Sequence, residues 1–230
     1  MNIPRIPHNW QISVQKALAV QRSLAKKVVV QRPAKPLRFI CGIDAAYSTD
    51  GKQCIAGVVL WDVLKQQVIE QHTAINRMPL PYIPGLLTFR EGPAVVKALR
   101  KLNNVPDVLL FDGQGIAHPR RLGIASHMGV LLNMPAIGCA KSRLVGTYVE
   151  PEPAKGSFAE LVYDNEVIGA VLRTRAQVNP VFISIGHLID LQSAVGIVLR
   201  CAVKYRLPEP TRLADQLVGR AKKRWHCYGR

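Results

Sequence analysis

Apolar residues at positions 8–28 recur with helical spacing (Trp10, Val14, Leu18, Val20, Leu24, Ala25, Val28), which predicts an N-terminal helix. Two prolines within 31–36 end it. The pattern then tightens to strand-like runs at 39–47, 55–62 and 67–75, with Asp50-Gly51 as the turn between the first two. Such close spacing predicts an antiparallel meander. A proline-rich loop at 78–85 leads into a helical pattern over 86–102, where Pro93 marks a kink or a restart. From there strands and helices alternate. Strands are expected at 107–111, 136–140, 167–173 and 181–185, and helices at 121–132, 190–204 and 211–220. A meander followed by this alternation predicts an α/β protein with a mixed central sheet flanked by helices.

Neither a repeat nor a low-complexity linker interrupts the 230 residues, so one domain is expected over 1–230. Its flanks would be a basic N-terminal helix and linker at 1–38 and a basic tail at 221–230 without fixed structure. No window is apolar enough to cross a bilayer, and the N-terminal residues hold no secretory pattern. Five cysteines, odd in number and without a C-x-x-C pair, read as free thiols of a reducing compartment. A zinc cage is therefore not expected, and a cytoplasmic location is.

Charge changes the picture more than composition does. The formal net charge is +16, and it is unevenly placed. Residues 1–43 hold eight Lys/Arg and no carboxylate, 113–149 hold four and none, and 191–230 hold nine against two acids. The stretch 44–112 is balanced at seven of each. Positive charge gathered at both ends and around one middle segment is what binding a polyanion requires.

Within the balanced stretch three acids are oddly placed. Asp44 follows the apolar run Phe39-Ile40-Cys41-Gly42-Ile43, Asp112 ends the run Val108-Leu109-Leu110-Phe111 before Gly113, and Glu91 lies near the start of a helix. An Asp at the carboxyl end of a strand, beside glycine, sits where open α/β sheets build their sites. Neighbouring carboxylates repel and call for a cation, and hard oxygen ligands suit magnesium or manganese. Taken singly each has an ordinary reading: a turn residue, a strand-edge charge, a solvated helix position. Other motifs fail. Gly113-Gln114-Gly115 lacks the third glycine of a dinucleotide loop, and Ala140 stands where a phosphate loop needs glycine. Neither a G-x-S-x-G elbow nor an H-E-x-x-H pair is present.

Four blocks carry a resemblance. They are Pro81-Tyr82-Ile83-Pro84-Gly85 with Phe89-Arg90-Glu91; Asp112-Gly113-Gln114-Gly115 with His118-Pro119-Arg120; Cys139-Ala140-Lys141-Ser142-Arg143-Leu144; and Tyr205-Arg206-Leu207-Pro208-Glu209-Pro210-Thr211. In this order they resemble the endonuclease V family. The resemblance implies a ribonuclease H-like fold and a repair nuclease acting on DNA that contains deoxyinosine. It implies hydrolysis of the second phosphodiester 3′ to the lesion, leaving 3′-hydroxyl and 5′-phosphate ends. By the same resemblance Asp44 and Asp112 bind Mg2+ (with Mn2+ as a substitute), and Glu91, His118 and Lys141 are catalytic. Pro81, Tyr82, Ile83 and Pro84 form a strand-separating wedge, and Gly85, Leu87, Gly113, Gly123 and Leu144 line the hypoxanthine pocket. Inosine-containing RNA is an alternative substrate, and a non-catalytic nucleic-acid binder is an alternative class. A monomer without membrane association is expected. One departure stands out: Gln114 occupies a place where many relatives carry His, and an amide does not titrate near neutral pH. Asp215 also falls at a family position, either catalytic or paired with Arg212, and a supporting role is the expectation.

Overall fold

In the computed structural model, which describes residues 1–228 (side chains to Trp225), eight strands form one mixed sheet. The strands are β1 (Phe39–Tyr47), β2 (Gln53–Asp62), β3 (Gln67–Arg77), β4 (Val108–Phe111), β5 (Ala136–Ala140), β6 (Phe158–Tyr163), β7 (Glu166–Leu172) and β8 (Val181–His187). The helices are α1 (Val14–Ala25), α2 (Leu87–Leu99), α3 (Ile124–Leu132), α4 (Leu191–Cys201) and α5 (Glu209–Tyr228). The sheet order is β3-β2-β1-β4-β5-β8-β7-β6. The expected meander is present, and β4 and β5 continue it parallel to β1.

Strand alternation explains how the sheet buries both faces. Cys41, Ile43, Leu109 and Phe111 point to one side, into a core shared with α2 and α3. Ile40, Val108 and Leu110 point to the other, into a core shared with α4 and the start of α5. Helix α5 crosses β1 and β2 at very close range. A Cβ on Gly42 would stand 2.1 Å from the carbonyl carbon of Pro210, and one on Gly57 2.6 Å from Val218.

Several boundaries differ from those read in the sequence. Helix α1 begins only at Val14, capped by Ser13, whose hydroxyl accepts from Lys16 N at 3.4 Å. Trp10 lies before it and packs instead against Phe89 and His127. Pro93 does not divide α2. Helix α3 starts three residues later than expected because Arg121 takes a left-handed φ of 55°. Strand β6 was not anticipated; it pairs with β7 across Asp164 and Asn165, both at positive φ. The basic segment expected to lack structure from 221 is helical through Tyr228, and residues 229–230 lie outside the described residues. Cys41, Cys54, Cys139 and Cys201 are buried free thiols. No helix among the described residues is long and apolar enough to cross a membrane.

Candidate active site

Backbone register brings the two aspartates together. In the parallel β1–β4 pair, Ile40 faces Val108 and Ile43 faces Phe111, and Asp112 N donates to the Ile43 carbonyl at 3.1 Å. The next step in that register sets Asp44 opposite Asp112. Both fall on the even-numbered side of their strands, toward α5. Burial and the charge of Asp112 push the Asp44 carboxyl up to about 8, and Asp215 on α5 adds to the rise. Lys141, just past β5, answers with an ion pair to Asp112 at 2.5 Å. Burial works against its charged form, but Asp112, Asp44 and Asp215 together hold the ammonium above its ordinary value.

Glu91 approaches from the opposite side of the sheet. It lies on α2 and is only 9% exposed, and burial raises its carboxyl to about 7, with Asp112 contributing in the same direction. The Tyr47 hydroxyl donates to Glu91 and opposes that rise. Arg90 stacks on Tyr47 at 4.1 Å and reaches Tyr82 at 5.8 Å. Three carboxylates thus crowd the carboxyl ends of β1 and β4, with a fourth on α5 and one lysine among them. Among the described residues they are not drawn close enough to form a finished metal cage. The arrangement itself fits a divalent cation, because burial and then the Asp112 charge hold the Asp44 carboxyl near 8, and positive charge beside it would relieve both.

Beside this cluster lies a cavity of about 250 Å³. Seven of the nine residues expected at the substrate line it: Tyr82, Ile83, Gly85, Leu87, Gly113, Gly123 and Leu144. Pro81 and Pro84 flank those in the loop without lining it. The volume falls below the ~300–1,000 Å³ of pockets for drug-sized ligands, and suits one flat ring system. Gly85 sits at φ +78°, and a Cβ there would stand 2.3 Å from the Arg120 guanidinium. Its carbonyl accepts from Gln21 Nε2 at 2.7 Å, Arg120 Nη2 at 2.8 Å and His118 Nε2 at 3.2 Å, which pins the end of the loop.

His118 therefore belongs to the cavity wall. Arg120 N donates to its Nδ1 at 3.1 Å, so Nε2 carries the proton given to Gly85. Burial, with the nearby Arg120 charge, lowers its pKa to about 4, so the ring is neutral at physiological pH. None of its hydrogen bonds reaches Asp44, Glu91 or Asp112. Gln114 also lines the cavity: its Nε2 donates to the Ser142 carbonyl at 3.1 Å, and its Oε1 is buried without a partner.

Comparison with known proteins decides the family. The "Endonuclease V" family model matches residues 22–216. The chain belongs to the endonuclease V family. Endonuclease V of Trichormus variabilis is 50% identical over 212 residues, 92% of this chain and 96% of that one. The crystal structure of endonuclease V from Streptomyces avermitilis superposes with a TM-score of 0.90 at 40% identity, covering 97% of this chain and 99% of that one. A third, from Ciona intestinalis, matches at 27% identity and TM-score 0.81 over 92% and 98% of the two chains. It was solved in complex with a 24mer DNA containing an inosine followed by a ribo-adenosine. As an endonuclease V family member this chain is an endonuclease with the ribonuclease H-like fold.

Sequence reading undervalued three of the residues gathered here. Tyr47 holds Glu91, Arg90 braces Tyr47 and Tyr82, and Asp215 shares the field of Asp44 and Lys141. Arg212 is not the partner of Asp215; it pairs with Glu209 at 2.6 Å. Only strand parity and the path of α5 would have disclosed these links.

Proposed function

We propose that this protein is a repair endonuclease that takes hypoxanthine into the cavity beside Tyr82 and cuts the same strand at the carboxylate cluster, at the second phosphodiester 3′ to the lesion. The observation that carries this reading is the adjacency of a ring-sized cavity to Asp44, Glu91 and Asp112. The Ciona intestinalis relative, bound to inosine-containing DNA, supports the substrate.

Asp44 and Asp112 would hold a divalent cation, Mg2+ being the hard oxygen-seeking ion of choice, with Asp215 and Glu91 contributing to the same electrostatic field. When bound, that ion supplies Lewis acidity toward the phosphate and lowers the pKa of water. The chain's own residues do the rest. Glu91, with a carboxyl near 7, is poised to take a proton from the attacking water at operating pH. Lys141 places a positive charge where the phosphorane becomes more negative. Water adds to phosphorus as the bond to the 3′ oxygen breaks, which leaves 3′-hydroxyl and 5′-phosphate ends. His118 fixes the loop through Gly85, which sets the distance between captured base and cut phosphate.

Selection of hypoxanthine over adenine follows from hydrogen bonding. Hypoxanthine offers an N1–H donor and a carbonyl acceptor where adenine offers the reverse. Gly113 and Gly123 line the cavity, and a backbone N–H facing the carbonyl of the base would make that discrimination. A labelled duplex with one deoxyinosine, incubated with Mg2+, tests the reading. A nick near the lesion is expected, abolished by chelator and absent from the adenine control. A parallel inosine-containing RNA arm ranks the two substrates, and an intact deoxyinosine strand would overturn the proposal.

A further inference from the structure

The loop at 78–85 separates two cavities of opposite character. Tyr82, Ile83 and Gly85, in its second half, line the ring-sized cavity. Met78 and Pro79, in its first half, line a larger cavity of about 730 Å³ that also contains Arg5, Arg77, Lys97 and Arg100. Asn9, Gln11 and Asn76 add amide groups, and no carboxylate lines it among the described residues. None of the four cations makes an ion pair among those residues, and all four side chains are exposed. Four unneutralised positive charges around one hollow repel each other, and each gains when an anion enters.

Tyr82, on the wall of the smaller cavity and three residues from Pro79 in the larger, is 68% exposed. Arg90 braces the loop on both sides, with its guanidinium over Tyr82 and Tyr47 and its Nε 2.9 Å from Met78 Sδ. The loop thus carries an exposed aromatic ring on a stretch that borders both a base-sized pocket and a cationic hollow. The extruded base goes to one side, and charged backbone continues on the other.

We infer that the hollow at Arg5, Arg77, Lys97 and Arg100 is a second nucleic-acid site, which binds the phosphodiester backbone of the duplex across Tyr82 from the captured base. The inference rests on the proposed capture of a base in the smaller cavity. Its four cations answer the phosphate charge, a contact that positions a duplex without reading its sequence. It anchors the duplex while the first cavity samples the base.

Binding of deoxyinosine and matched adenine duplexes, measured in chelator by fluorescence anisotropy across a salt series, tests this directly. The double substitution Arg77→Ala/Arg100→Ala should weaken both duplexes alike, by about tenfold at moderate salt, and reduce the slope of log K against log salt by about 2. Turnover at saturating substrate should stay at the wild-type rate, and the melting temperature should be unchanged. Arg77→Lys/Arg100→Lys should restore the slope. An unchanged slope in the alanine variant, or one not restored by lysine, overturns the site. If wild-type protein fails to prefer deoxyinosine, the base-capture reading fails instead, while the salt slope still reports on the hollow.

Discussion

Asp44 shows what burial beside a second carboxylate does to a single residue. Its carboxyl rises from 3.8 to about 8, through burial first and the Asp112 charge second. The folded protein then holds a proton that the unfolded chain has released, so its stability falls as pH climbs through that window. Replacing Asp44 with Asn removes the titration. In chelator, the melting temperature of Asp44→Asn should exceed that of wild type increasingly from about pH 5 to pH 8, at ~2–4 °C per kcal/mol for a chain of this size. Parallel melting curves across that range would refute the raised Asp44 carboxyl. The histidines act oppositely: burial lowers His118 to about 4, so its contribution is lost as pH falls below the ordinary histidine value. Comparing the two proteins at each pH cancels that background. At this scale the sequence was informative where a residue broke a local rule. Asp44 and Asp112 ending apolar runs were visible; the hydroxyl of Tyr47 on Glu91 was not, because it joins a strand to a helix 44 residues away.

Among the elements, β1 and α5 matter most, since together they bear Asp44 and Asp215. Their contact depends on Gly42, where Pro210 occupies the space that any side chain would need. Gly42→Ala should force α5 off the sheet at a cost of about 1–3 kcal/mol. It should also lower the cutting rate more than substrate affinity, since Asp215 moves and the base cavity does not. Wild-type turnover in a stable Gly42→Ala protein would show that α5 needs no such close seat. Strands β1 and β5 were legible to the residue because apolar runs with clear polar ends define them. Helix α5 was read at half its length, since from Arg220 onward it is basic and polar and hides its face. Strand β6 escaped although Phe158-Ala159-Glu160-Leu161-Val162-Tyr163 is largely apolar and Asp164-Asn165 suits a tight hairpin; the polar, proline-containing stretch before it masked its start.

Across the whole molecule, charge of the two signs is separated. Asp44, Asp112 and Asp215 gather around the ends of β1 and β4, and unpaired bases lie outward, around the hollow at Arg77 and Arg100. The excess of positive charge read from the sequence is thus consistent with a surface for polyanions, and the balanced middle stretch with the chemistry. The N-terminal segment, expected to be basic helix and linker, also helps to build the centre. Trp10 fills the space over Gly92, one residue beyond Glu91, and His8 meets His127 at 3.0 Å.

All of this turns on whether the carboxylates at the ends of β1 and β4 take one divalent ion between them. Titration of the protein with Mn2+, followed by calorimetry or by loss of the free-ion resonance signal, measures that directly. One site should be seen in the wild-type protein and should be lost or weakened at least about tenfold in both Asp44→Asn and Asp112→Asn, with Asp107→Asn as an unaffected control. Wild-type Mn2+ binding in either of the two variants would contradict the account.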